Sequence, residues 1–228
     1  REKLSLPTEF TNLERIENTL AAMATYINVY PDDSTHTASL QVLLAWFGRE
    51  QQRTEISLKA LDRLKAPTTW EEARAHSRIA EGCLFAPIDD EQLSKQAIAA
   101  ARLSVTHGYG NDIQKKYFQH SLAIAEYRSG NYAKADELLT AVVEFDPDGE
   151  RMGSSAMLFR SMARHHLGRH DEAKADLKTI ADRFKEFATL SRDELPSGDD
   201  YNTIHIALVY QEAKALLNER AGSVAEKE

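Results

Sequence analysis

Two stretches of this chain say nearly the same thing. Residues 127–139 read YRSGNYAKADELL and residues 165–177 read HHLGRHDEAKADL. A helix hairpin of some thirty residues cannot bury its apolar faces alone, so a repeated hairpin motif implies a stack of such units. Two registers compete. Setting AKAD 133–136 on AKAD 173–176 matches four letters but places Gly130 against His170. Setting Gly130 on Gly168 brings Ala135 onto Ala173 and Leu139 onto Leu177. The glycine register is the physical one. Glycine reaches a turn geometry that other residues adopt only at a cost, and a small residue five positions later lets two helices approach closely.

The rest of the chain is helical in pattern, with no convincing strand signal. Leu13, Ile16, Leu20, Met23 and Ile27 step by threes and fours. HTASLQVLLAWFG stops at Gly48, EQQRTEISLKALDRLKAP ends before Pro67, and Thr69 with Glu72 has the spacing of a capping box. About ten helices are expected, in an all-α, right-handed superhelical stack of antiparallel helix pairs. The expected organisation is one domain over 1–222, with divergent pairs in 1–110, two clear units in 111–190 and a terminal capping helix over 199–221. SRDELPSGDD (191–200) reads as a surface loop and 223–228 as a frayed tail.

Composition narrows the function classes. A net charge of −8 over 228 residues gives no basic footprint for duplex nucleic acid or an anionic membrane. No apolar run approaches the ~20 residues that span a bilayer, so no membrane insertion by this fragment and a cytoplasmic location are expected. The single Cys83 allows no intrachain disulfide and reads as a buried thiol. The chain begins at Arg1 without a methionine and is expected to be a piece of a longer polypeptide.

The unit at 117–147 carries Ala123, Gly130, Tyr132, Ala135, Leu139 and Pro147 at positions 8, 15, 17, 20, 24 and 32 of a 34-residue frame. It closely resembles the tetratricopeptide repeat. The unit at 154–187 keeps Ser161, Gly168, Ala173 and Leu177 but has His170 for the aromatic and Lys185 for the proline, so its second helix is expected to run on to Leu190. The first 110 residues match the repeat poorly. LLAWFGREQQRTEISLKALDRLKAPTTWEEARAHSRIAEGCLFAP (43–87), the two units and IHIALVYQEAKALL (204–217) together resemble a helical region of large multidomain bacterial proteins. There it lies C-terminal to a Ser/Thr protein kinase domain. The resemblance implies fold and domain context more than activity.

Chemical motifs are missing from this stretch. No GxGxxG, HRD, DFG, GxxxxGK[ST], HExxH or GxSxG occurs. HGYGND (107–112) reads as a turn and DPDGE (146–150) as a repeat terminus, since it lacks the ligand pattern of a calcium loop. His166 and His170 have a metal-like spacing, but Gly168 between them is expected to end the helix, and no third ligand is at hand. Glu71–Glu72, Asp89–Asp90 and Asp199–Asp200 fall at helix starts, where they complement the helix dipole.

These readings converge on a protein–protein interaction or scaffolding module with no cofactor, no metal site and no catalytic residues, the accessory region of a larger signalling protein such as a kinase. Its partner would be a protein or peptide. The repeat frame turns Tyr117, His120, Ile124, Tyr127 and Arg128 of one unit toward a concave groove. From the next unit it turns Ser155, Leu158, Met162, His165 and His166. The opposing reading has these residues packed against the N-terminal helices, leaving no open groove. Two rivals from other classes are an α-helical hydrolase of the helical-toroid kind and a helical regulator that senses a small ligand.

Overall fold

The computed structural model describes residues 12–106, 111–147, 149, 152–188, 190 and 201–225. Among them are ten α-helices and no strand. In chain order these are α1 (Asn12–Val29), α2 (Ser34–Trp46), α3 (Glu50–Leu61), α4 (Trp70–Leu84), α5 (Glu91–Ser104), α6 (Asp112–Arg128), α7 (Tyr132–Phe145), α8 (Met152–His166), α9 (His170–Arg183) and α10 (Tyr201–Ala225). The reasons for their limits are local. Asp33, Asp90 and Asn111 accept first-turn amide hydrogens of α2, α5 and α6. Thr69 and Glu72 form the capping box of α4 in full.

Three hairpins turn on the same device. Gly48, Gly130 and Gly168 have φ of 66°, 79° and 79°, in the left-handed region that favours glycine. After each, the next residue (Arg49, Asn131, Arg169) donates its amide to a carbonyl five residues back, of Leu44, Glu126 and Arg164 respectively. The glycine register of the repeat is therefore a backbone identity. Ala135 and Ala173 are both fully buried, whereas Ala133, which the AKAD register would set against Ala173, is exposed.

Cross-helix bonds fix the layers. Thr35 meets Arg78, and Gln41 meets Cys83, so α2 and α4 run parallel. Ser77 meets Ser121 and the Leu84 carbonyl meets Arg128, aligning α4 with α6. His120 meets Ser155 and Tyr127 meets Met162, aligning α6 with α8. Against this inner layer the partner helices run the other way. Lys116 reaches the Ala141 carbonyl from α6 to α7, while Ser161 reaches Ala173 and Ser154 reaches Arg183 from α8 to α9. The last helix returns to pack on α8, α9 and α2.

Three expectations change. The second helix of the second unit stops at Arg183 and does not continue to Leu190. Phe184 leaves helical geometry (φ −119°, ψ 69°) and stacks on Phe187 of a short 3-10 turn at 4.7 Å, with Phe187 set against Tyr210 of α10. The first 110 residues do contain a matching turn, at Gly48. The terminal helix runs on to Ala225, through the first three residues of the supposed frayed tail. The loop 191–200, Asp199–Asp200, and most of HGYGND lie outside the described residues, as do two positions of DPDGE. Cys83 is buried as expected, and burial pushes its thiol up to about 12.

The buried alanines give a test of the register. Ala135→Leu or Ala173→Leu overfills a closed helix–helix contact and is expected to cost roughly 1–3 kcal/mol in urea unfolding. The same change at exposed Ala133 or Ala175 is expected to stay within about 0.5 kcal/mol. Equal costs at all four positions would overturn the glycine register.

Candidate functional site

The inner layer of parallel helices presents one face, and α10 divides it. Arg128, near the C-terminal end of α6, donates to both carboxylate oxygens of Glu212 on α10 at 2.5 and 2.7 Å. It also donates to the carbonyls of Leu84 and Phe85 at 2.9 and 3.3 Å. Phe85 in turn stacks on His205 of α10 with centroids 4.6 Å apart. Residues 204 and 206–210 of α10 are all buried, as suits a helix held between neighbours rather than one capping an end.

Most of the expected groove is consequently closed. Ile124, Tyr127, Leu158, Met162 and His165 are buried, Tyr127 pointing its hydroxyl at the Met162 sulfur 3.5 Å away. Burial raises the Tyr127 phenol above its ordinary value. Arg128 is engaged by α10 and α4. His166 lies at an exposed end, stacked on Tyr132 at 4.1 Å, on the far side of the Gly168 turn from His170. Two elements do the filling: α10 meets Arg128 through Glu212, and α4, one of the N-terminal helices that the opposing reading named, meets both Arg128 and His120.

Toward the N-terminal ends of the same helices the face stays open. A cleft of about 310 Å³ is lined from α2, α4, α6 and α8, with His205 of α10 in its wall. Of the expected groove residues it takes Tyr117, 52% exposed, together with His120 and Ser155. The sequence reading missed its α4 wall. Trp70, Arg74, Arg78 and Glu81 project from successive turns there, at the i, i+4 and i, i+3 spacings that put side chains on one helix face. Arg74 lies over the Trp70 ring, 5.1 Å from its centroid. Arg78 donates to the Thr35 hydroxyl, and burial followed by the nearby Arg74 charge pulls its guanidinium below the ordinary value. The Trp70 indole N–H and the Gln114 side-chain oxygen have no partner among the described residues.

Beneath the cleft runs a polar chain that joins three helices. Glu81 accepts from Ser121 at 2.6 Å and pairs with His120 Nδ1 at 3.0 Å. His120 Nε2 meets the Ser155 hydroxyl at 2.9 Å, and Ser77 meets Ser121 at 2.5 Å. The order hydroxyl, imidazole, carboxylate is that of a nucleophile, base and orienting acid. Ser155 is 0% exposed, however, and its hydroxyl also reaches the Met152 carbonyl at 3.1 Å. A second hollow, of about 280 Å³, lies among α1, α2 and α3, with Leu20, Ile27 and Leu44 in its walls.

No helix among the described residues is long and apolar enough to cross a membrane. Comparison of the chain with protein-family models, curated proteins and solved structures yields no match.

The seat of α10 is open to a charge-swap test. Side chains of Arg128 and Glu212 are only 11% and 20% exposed. Arg128→Glu sets two carboxylates together and abandons the α4 carbonyls, so it is expected to cost about 3–5 kcal/mol in urea unfolding. Adding Glu212→Arg is expected to recover part of that loss. An unchanged midpoint for Arg128→Glu would show that this contact does not hold α10.

Proposed function

We propose that this chain is a protein-interaction module built of helical repeats, a right-handed stack of the tetratricopeptide kind, and that it serves as the accessory region of a larger bacterial signalling protein such as a Ser/Thr kinase. The cleft carries the reading. It is concave, it spans four parallel helices, and it sets an exposed tyrosine and a tryptophan beside two arginines. Those three residue types dominate interface hot spots, Tyr and Trp through large contact area with few rotors and Arg through directed hydrogen bonds. The recurrent glycine turns and the buried small residue five positions after Gly130 and Gly168 support the repeat assignment.

A peptide array of random sequences, probed with the full chain, tests this function. Retained peptides are expected to weaken by about 2 kcal/mol with Tyr117→Ala, the scale of a hot-spot loss. The unfolding midpoint is expected to hold, since the side chain is half exposed. Undiminished binding by that variant would move the interaction away from the cleft.

The hydrolase reading draws on one observation, the Ser155–His120–Glu81 chain. A structural role fits it better. The chain crosses from α4 to α6 to α8 and satisfies side chains that would otherwise be buried without partners. Incubation with a fluorophosphonate, which traps an activated serine, is expected to leave the protein unlabelled. An adduct on Ser155 that His120→Gln abolishes would establish the enzyme instead.

A further inference from the structure

Arg74 and Arg78 are the unmatched charges of the cleft. They stand one turn apart on α4, and neither has a carboxylate oxygen within 4.0 Å among the described residues. Arg78 has the Thr35 hydroxyl, and Arg74 has the face of Trp70. The cleft's own carboxylate, Glu81, is committed to Ser121 and His120. Arg78 is partly buried and Arg74 exposed beside it; the two cations repel one another, and an anion placed between them relieves both. The surplus is local, because the chain as a whole carries −8.

The same face shows how such an arginine is completed. Where α10 lies across it, Glu212 presents both carboxylate oxygens to Arg128. In the open cleft the described residues of α10 contribute His205 to the wall and no carboxylate for Arg74 or Arg78. We infer that the cleft takes a peptide segment of a protein partner through an Asp or Glu side chain held between Arg74 and Arg78, with flanking apolar residues against Trp70 and Tyr117. The inference rests on the peptide-binding reading above. A carboxylate is favoured over a phosphate by charge. Glu81 and Asp33 already act on Arg78, so a dianion meets about twice the repulsion there that a single carboxylate does.

The test uses an array of peptides with random flanks, each made with a central Glu, Gln or phosphoserine and probed with the full chain. Central Glu is expected to bind at least about tenfold tighter than central Gln, the worth of one charge-assisted hydrogen bond. Arg74→Gln and Arg78→Gln are each expected to shrink that preference. Lys95→Gln, the same loss of charge at an exposed position on α5, is expected to leave it intact. Should Arg78→Gln fail to fold, exposed Arg74 decides alone. Equal retention of Glu and Gln peptides, both still weakened by Tyr117→Ala, would sink the carboxylate and leave the peptide-binding reading standing. Phosphoserine binding tenfold tighter than Glu would replace the carboxylate with a phosphate. Retention of no peptide at all would overturn both readings.

Discussion

The guanidinium of Arg128 is the contact on which the arrangement of the inner face depends. It makes four hydrogen bonds to two elements, two to Glu212 of α10 and two to the last carbonyls of α4. It also lies 5.4 and 5.3 Å from the ring centroids of Tyr127 and Phe159. A planar, permanently charged fork can serve a bidentate carboxylate and stack on aromatic rings at once, which an ammonium cannot. The α4 carbonyls are the ones that any helix leaves without internal partners. One side chain therefore closes the end of α4, fixes α6 beside it and seats α10 over both. Removing one partner of such a pair leaves a buried charge and loose carbonyls together, so the cost falls on all three helices.

With α10 seated, the face has two halves of unlike character. The closed half is dry: Ile124, Leu158 and Met162 are fully buried and Tyr127 nearly so. The open half is polar and aromatic, and its floor is the chain from Ser77 to Ser155 through Ser121, Glu81 and His120. A buried polar chain of this sort is tolerable only when its members satisfy one another, and it then fixes the helices at one spacing. The cleft walls are thus set by bonds beneath them, while the side chains facing outward from α4 remain available. A binding surface on a rigid frame loses less entropy when it is filled than a loop does.

Local chemistry was legible in the sequence where a single residue type dictates the geometry. Gly130 and Gly168 announced their turns, Thr69 with Glu72 its capping box, and Ala135 and Ala173 their burial. Long-range placement was not. The groove positions followed from a frame that ends after two units, and nothing in that frame says that a later helix folds back over them. One signal was there: IHIALVY is apolar at every position but His205, which suits a helix enclosed on several sides better than a solvent-facing cap. The discarded AKAD register also carries chemistry of its own. Asp136 and Asp176, its fourth letters, both bond to Arg164, at 2.9 and 3.0 Å from different nitrogens. The backbone repeats on the glycines, and the matched aspartates serve one arginine between them.

The hidden turn at Gly48 shows why a repeat can be present in backbone and missing in letters. Counted from that glycine, the two positions that are Ala or Ser in the later units are Gln41 and Arg53. Both are fully buried, so the close approach that small residues allow elsewhere is not made there by small residues. The room comes from α4 instead. A Cβ on Gly82 would lie 2.1 Å from the Gln41 side-chain oxygen and 2.8 Å from the Ala38 Cα, so only glycine fits that position without movement. Gln41 then bonds to Ser57 and Cys83, and Arg53 to Glu50 and the Pro87 carbonyl, which meets part of the polar demand of two large side chains in a dry contact. The requirement for a small residue has passed from one helix pair to the neighbouring helix. A motif that scores each unit separately cannot see that transfer, because the space in a stack belongs to adjacent units jointly.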